Sequence, residues 1–179
     1  MMVLNERIKF LMGEFWMLSI QGAFSHVSIY KTKNDDQRIK FKKSLKNYIN
    51  ICILPYYLNS ETVSDTRHIT NIVYISCGAR KYKKIVRNFS IGVAQKLLNL
   101  YLKYLWCAGL IGMPPHCPFD SNVINKLKEM DFISNQIAWT KMNLKDYIKL
   151  VDAAKKAALE KGVSIAVWEL ETFNNKRKT

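Results

Sequence analysis

Between Leu4 and Phe24 the apolar residues Ile8, Leu11, Met12, Phe15 and Leu18 recur near helical spacing, which predicts an amphipathic helix lying on a core. A polar turn at Thr32 to Asp36 follows. From about Asp36 the run DQRIKFKKSLKNYINICIL places Ile39, Leu45, Tyr48, Ile49, Cys52 and Ile53 on one side, with Lys40, Lys42, Lys43 and Lys46 largely outside it. Pro55 has no N–H and should end that helix. Asp65 is the expected cap of a third helix through Ile69, Ile72, Val73 and Ile75, and Gly78 its expected stop.

The segment Val93 to Ala108 carries Leu97, Leu98, Leu100, Tyr101, Leu102, Tyr104 and Leu105 and is apolar nearly all round, the pattern of a central buried helix. GLIGMPPHCPFD cannot continue it, because its glycines and prolines break the period; an extended crossing of the core is expected there. A helix restarts after Asp120 or Ser121. Asn143 caps the Ala/Lys/Leu-rich segment Leu144 to Lys161, Gly162 stops it, and Ser164 opens a last helix, IAVWELETF. With no repeat and no alternating hairpin, the predicted fold is all-α or nearly so, a single helical domain over 1–173 followed by a basic flexible tail, 174–179.

Charge changes the picture. The 179 residues hold 28 Lys+Arg against 14 Asp+Glu, a formal charge of +14, which makes an anionic polymer the natural partner. A coding bias toward Lys, Asn and Ile is the other source of such a charge. Arg80, Lys81, Lys83, Lys84 and Arg87 are concentrated in RKYKKIVRNFS, just ahead of Gly92. The four cysteines, Cys52, Cys77, Cys107 and Cys117, form no C-x-x-C pair and read as reduced core residues of a cytoplasmic protein. No run is long and apolar enough to predict a membrane span.

The stretch Phe89 to Ile124 resembles the signature region of the helix-hairpin-helix DNA glycosylase superfamily, which includes the endonuclease III and 8-oxoguanine glycosylase types. In that family a tight glycine turn leads into a helix bearing a catalytic lysine, and a later segment presents a catalytic aspartate at a helix start. The resemblance places the turn at Ile91-Gly92-Val93-Ala94, the lysine at Lys96 and the aspartate at Asp120, within Pro118-Phe119-Asp120-Ser121. It implies that amides near Gly92 and Ala94 hold a DNA phosphate, and that the Lys96 amine attacks the sugar of an extruded nucleotide to form a Schiff base while Asp120 manages the proton and the cationic sugar. Tyr101, Trp106, Trp139 and Trp168 are the aromatic candidates for the pocket of the extruded base; aromatic residues in apolar helices are more often core. Without a cysteine quartet, any kinship lies with the branches that carry no iron–sulfur cluster.

Other chemistry is weaker. His116 and Cys117 beside Cys107 lack a fourth ligand at suitable spacing, so no metal is expected, and with neither a Walker loop nor a dinucleotide fingerprint no cofactor is expected. Glu169 and Glu171 are two apart, point away from each other on a helix, and read as solvated or paired with lysines. Three readings stay open: a glycosylase-like enzyme using Lys96 and Asp120, a non-catalytic DNA- or RNA-binding or host–phage interaction module, and a helical domain whose basic face meets an acidic protein.

Overall fold

A computed structural model describes residues 5–58 and 62–176. It contains eight α-helices and, among the described residues, no sheet: α1 (Glu6–Phe24), α2 (Asp35–Tyr48), α3 (Pro55–Leu58), α4 (Asp65–Arg80), α5 (Ile91–Cys107), α6 (Ser121–Glu129), α7 (Leu144–Glu160) and α8 (Ile165–Lys176). The all-α expectation holds. Its spine is α5, which buries most of its 17 residues against α1, α4 and α7.

Several boundaries and faces differ from the sequence expectation for physical reasons. The buried face of α1 is Trp16, Ser19, Ile20 and Ala23, with Met12 and Phe15 partly covered, so Leu11 and Leu18 lie on the exposed side. In α2 and the turn that continues it, Phe41, Leu45 and Ile49 face the core, while Ile39 and Cys52 are exposed. Pro55 does not end this helix. The backbone widens into a π-turn at Ile49–Ile53, where the Leu54 N–H donates to the Ile49 carbonyl, and then runs on through α3. Widening by one residue accommodates a proline that can neither donate nor leave the carbonyl four residues back in place.

Ser64, not Asp65, caps α4, its hydroxyl accepting from the Arg67 N–H, which leaves the Asp65 carboxylate for other partners. Gly78 lies inside α4, which ends at Arg80. α7 starts with a reciprocal cap between Asn143 and Asp146 and stops at Gly162, which takes φ +66°, the left-handed conformation glycine adopts without penalty. α8 includes Asn174–Lys176; the rest of the expected tail, 177–179, lies outside the described residues. Of the cysteines, all free, Cys117 alone is buried, and Cys52, Cys77 and Cys107 are exposed rather than core.

Candidate functional site

The spine helix is not uniformly apolar. Gln95, Lys96, Asn99 and Lys103 fall within one 100° sector at 100° per residue, and all four are buried. Such a stripe is tolerable only if each polar atom finds a partner. The prolyl crossing supplies them: the Gln95 side chain donates to the Phe119 carbonyl at 2.7 Å and accepts from its N–H at 3.1 Å, and the Asn99 amide donates to the Cys117 carbonyl at 2.8 Å. Two amide side chains thus satisfy the backbone of a segment that crosses the interior outside any helix.

The same crossing carries a buried histidine network. The orientation of Asn99 leaves its oxygen accepting from His68 Nε2 at 2.7 Å, so Nδ1 of His68 accepts from the Tyr57 hydroxyl at 2.8 Å. His116 Nε2 donates to Asp65, 3.2 Å away, and its Nδ1 accepts from the Tyr147 hydroxyl at 2.7 Å. Asp65 also pairs with Lys155. Burial holds both imidazoles neutral, pushing His116 down to about 4 against the opposing pull of Asp65, and His68 well below its ordinary value.

Held from below in this way, the crossing delivers Asp120 to the start of α6. One carboxylate oxygen caps the helix, accepting from the Asn122 and Val123 N–H groups at 2.9 and 3.2 Å. The other lies 3.6 Å from the Lys96 ammonium nitrogen, which sits 4.2 Å from the centroid of the Trp139 ring. Burial pushes the Lys96 amine below its ordinary pKa, and Asp120 pulls it back up. Two turns along α5 the arrangement recurs: Lys103 meets both oxygens of Glu169 at 2.7 and 2.9 Å and lies 4.4 Å from the Phe173 centroid. Burial raises the Glu169 carboxyl, Lys103 opposes the rise, and the charge of Asp120 adds to it.

Asp120 and Glu169 line one cleft of about 590 Å³ between α6 and α8, with Asn122, Asn125, Thr172 and Phe173 on its walls. Its volume is in the range of small-ligand pockets, about 300–1,000 Å³. Lys96 stands behind Asp120, 9% exposed at its side chain against 28% for the aspartate. Two buried ion pairs against one cleft are hard to justify as stabilisers, since a pair taken out of water rarely improves on well-packed apolar residues. An acid raised by burial at a cleft wall, as Glu169 is, is one signature of a functional site, and structural ion pairs share it.

Other expectations are corrected. Ile91–Ala94 is the first turn of α5, not a hairpin turn between two helices: Ser90 caps it by accepting from the Val93 N–H, and residues 81–90 separate it from α4. Gly92 and Ala94 are buried and cannot hold a phosphate; the Gly92 N–H donates to the Met142 carbonyl. Glycine is required there for a different reason, because a Cβ would stand 1.6 Å from the Trp139 carbonyl oxygen. Of the aromatic pocket candidates, Tyr101 and Trp168 are wholly in the core, Trp139 is buried beneath Lys96, and Trp106 is half-buried; none lines the cleft. Phe173 does.

The predicted basic cluster is where it was expected, on the surface. Arg80, Lys81, Lys83, Lys84 and Arg87 are exposed, and none joins an ion pair among the described residues. The segment is ordered by backbone bonds to its neighbour, Lys31 N–H to Ile85 and Arg87 N–H to Ile29, and by the Tyr82 hydroxyl against Ser44 at 2.7 Å. That contact sets the Tyr82 turn, and the cluster with it, beside α2.

Sequence reasoning missed Lys103 and Phe173, and named Glu169 only as a solvated or lysine-paired carboxylate; its partner is Lys103. The available signal was the seven-residue spacing of Lys96 and Lys103, one face of an otherwise apolar helix. Among the described residues no group of three or more His, Cys, Asp or Glu is placed to hold a metal ion, and no helix is long and apolar enough to cross a membrane. Comparison with protein-family models, curated proteins and solved structures returns no match.

Proposed function

We propose that this chain is a nucleic-acid-processing enzyme of the DNA glycosylase/lyase kind, with Lys96 as the amine nucleophile and Asp120 as its proton acceptor. The observation that carries the reading is the meeting, at 3.6 Å, of a lysine and an aspartate 24 positions apart, beside a cleft. The loss of water around Lys96 favours the neutral, nucleophilic amine. Asp120 takes the proton as the nitrogen attacks C1′ of an extruded nucleotide; the base leaves with the bonding electron pair and is protonated. Opening of the sugar ring gives an imine between Lys96 and C1′, and water releases it.

Borohydride tests the reading directly, because it reduces the imine to a stable amine. An oligonucleotide bearing an abasic site should be captured covalently by the native chain and by none of Lys96→Ala, Lys96→Met or Lys96→Arg, with Asp120→Asn slowed. Absence of capture on single- and double-stranded abasic DNA, with a folded protein that binds both, refutes it. The non-catalytic reading is favoured by one observation of its own, the exposed cluster Arg80, Lys81, Lys83, Lys84 and Arg87, whose cations join no ion pair among the described residues. It expects Lys96→Ala to leave nucleic-acid binding unaltered and no covalent product to form.

A further inference from the structure

The second cleft of the molecule, about 390 Å³, runs between α2 and the C-terminal half of α4. Tyr48, Tyr74 and Tyr82 form its rim with Ser44, Cys77 and Lys81, and Phe41, Leu45 and Ile75 its floor. Tyr74 is 54% and Tyr82 39% exposed. Tyr82 is fixed by its bond to Ser44 and by an edge-on contact with Phe41, centroids 5.3 Å apart. Tyr48 lines the groove from α2 and Tyr74 from α4.

The charge around this groove is one-sided. From Gln37 to Ser60, and again from Thr66 to Phe119, the chain has no aspartate or glutamate. Lys81 lies on the rim and Lys83 and Lys84 follow it directly, all three exposed, whereas the α2 residues that line the groove are Phe41, Ser44, Leu45 and Tyr48 and its lysines lie on the face turned away. Cations without local carboxylates attract a polyanion, and tyrosines with free surface attract flat rings. An acidic protein would use the first feature and leave the second idle; a paired duplex offers its phosphates but keeps its base faces stacked inside.

We infer that this groove is a binding site for single-stranded nucleic acid, in which unpaired bases stack on Tyr74 and Tyr48 while the backbone follows Lys81, Lys83 and Lys84. Charged grooves with aromatic platforms are the common solution to that task. The inference rests on the nucleic-acid part of the function proposed above and adds the strand state and a second, non-catalytic site. It suits a protein acting on a base outside the duplex, since unpaired strand adjoining the target has to be held somewhere.

The test measures binding of a short oligothymidylate, a duplex of the same length, heparin and polyglutamate, by fluorescence anisotropy across a salt series. Oligothymidylate is expected to bind more tightly than the duplex. Tyr74→Ala should weaken oligothymidylate about tenfold, given the loss of one base stack, leave heparin unchanged and keep the salt slope; Tyr74→Trp should restore it. The combined Lys81→Ala and Lys84→Ala change should weaken both polymers and make the oligothymidylate salt dependence shallower, by about 0.7 for each phosphate contact removed. Preference for the duplex, equal loss of oligothymidylate and heparin in Tyr74→Ala, or polyglutamate binding as tightly as oligothymidylate overturns the inference. Lys96 capture is read separately on an abasic strand at saturating protein. Failure of capture with the Tyr74 effect intact removes the enzyme alone, and the converse removes the groove alone.

Discussion

Breaking the Lys103–Glu169 pair tests how the second site is held together. The two side chains are 8% and 5% exposed as residues, and both carboxylate oxygens accept from one ammonium at 2.7 and 2.9 Å. Lys103→Met leaves a buried carboxylate without its counter-charge, and Glu169→Met leaves a buried ammonium. Either single change is expected to destabilise the fold by about 3–5 kcal/mol. For a chain of this size each kcal/mol moves Tm by roughly 2–4 °C, so the midpoint should fall by about 6–20 °C. The double change replaces both charges by unbranched apolar chains of similar length and should recover most of the loss, to within about 1 kcal/mol of the native protein or above it.

The pH dependence separates the two single variants. With Lys103 gone, Glu169, already raised by burial, can take a proton in the folded state before the unfolded chain does. A raised folded value contributes stability at low pH and loses it as pH rises, so the Lys103→Met deficit should shrink between pH 7 and 5. The Glu169→Met variant has no carboxyl to protonate there, so its deficit should not shrink over the same range. Urea unfolding of the four proteins at three pH values is the assay. Single losses below about 1 kcal/mol, or a double variant no better than the sum of the singles, would show that the pair is not buried as described.

The imidazoles give the native chain an acid limit. His116 falls from 6.5 to about 4 on folding, so the unfolded chain takes up its proton first, and stability present above about 6.5 is lost as pH falls toward 4, by about 3 kcal/mol from this group. His68 and the lowered Asp65 act in the same direction and Glu169 opposes them; a denaturation midpoint flat from pH 7 to 5 would contradict the network. Gly92→Ala drives a methyl into the Trp139 carbonyl, and because backbone rather than a flexible side chain must move, the loss should be at least about 1–3 kcal/mol by thermal melting. Asp120→Asn keeps the cap but takes the carboxylate from the buried Lys96 ammonium, whereas Asp120→Ala loses both, so the alanine variant should melt about 1 kcal/mol below the asparagine one; equal losses would deny the cap.

Helix positions were legible where local chemistry decides them. Asn143 with Asp146, Gly162 and the proline-rich break each announce a boundary through a backbone group that needs a partner or a conformation only glycine favours. Facing was less legible. α1 is apolar on more than one side, so that Leu11 and Leu18 compete with Trp16 and Ile20 for the core, and only close packing on α5 settles which stripe is covered. Pro55 misleads for a related reason: the rule that proline stops a helix assumes a regular ladder, and a π-turn escapes it.

The site was half legible, and the missing half follows from what a one-dimensional pattern records. Lys96 and Asp120 stood out because each lies next to a turn, where residue type is informative. Lys103 and Glu169 lie in the middle of helices, where a lone charge ordinarily means solvent. Burial of Lys103 depends on α8 returning to cover α5 some 66 positions later, a contact no local period encodes. The two pairs nevertheless differ in one physical respect that bears on their roles. Glu169 has both oxygens committed to Lys103, whereas Asp120 divides its oxygens between a helix cap and a longer, 3.6 Å contact, and is the more exposed acid. A nucleophile must be released by its partner at the moment of reaction, and the looser pair at the cleft wall meets that condition; the tighter one is suited to holding α8, and with it Phe173, against the spine.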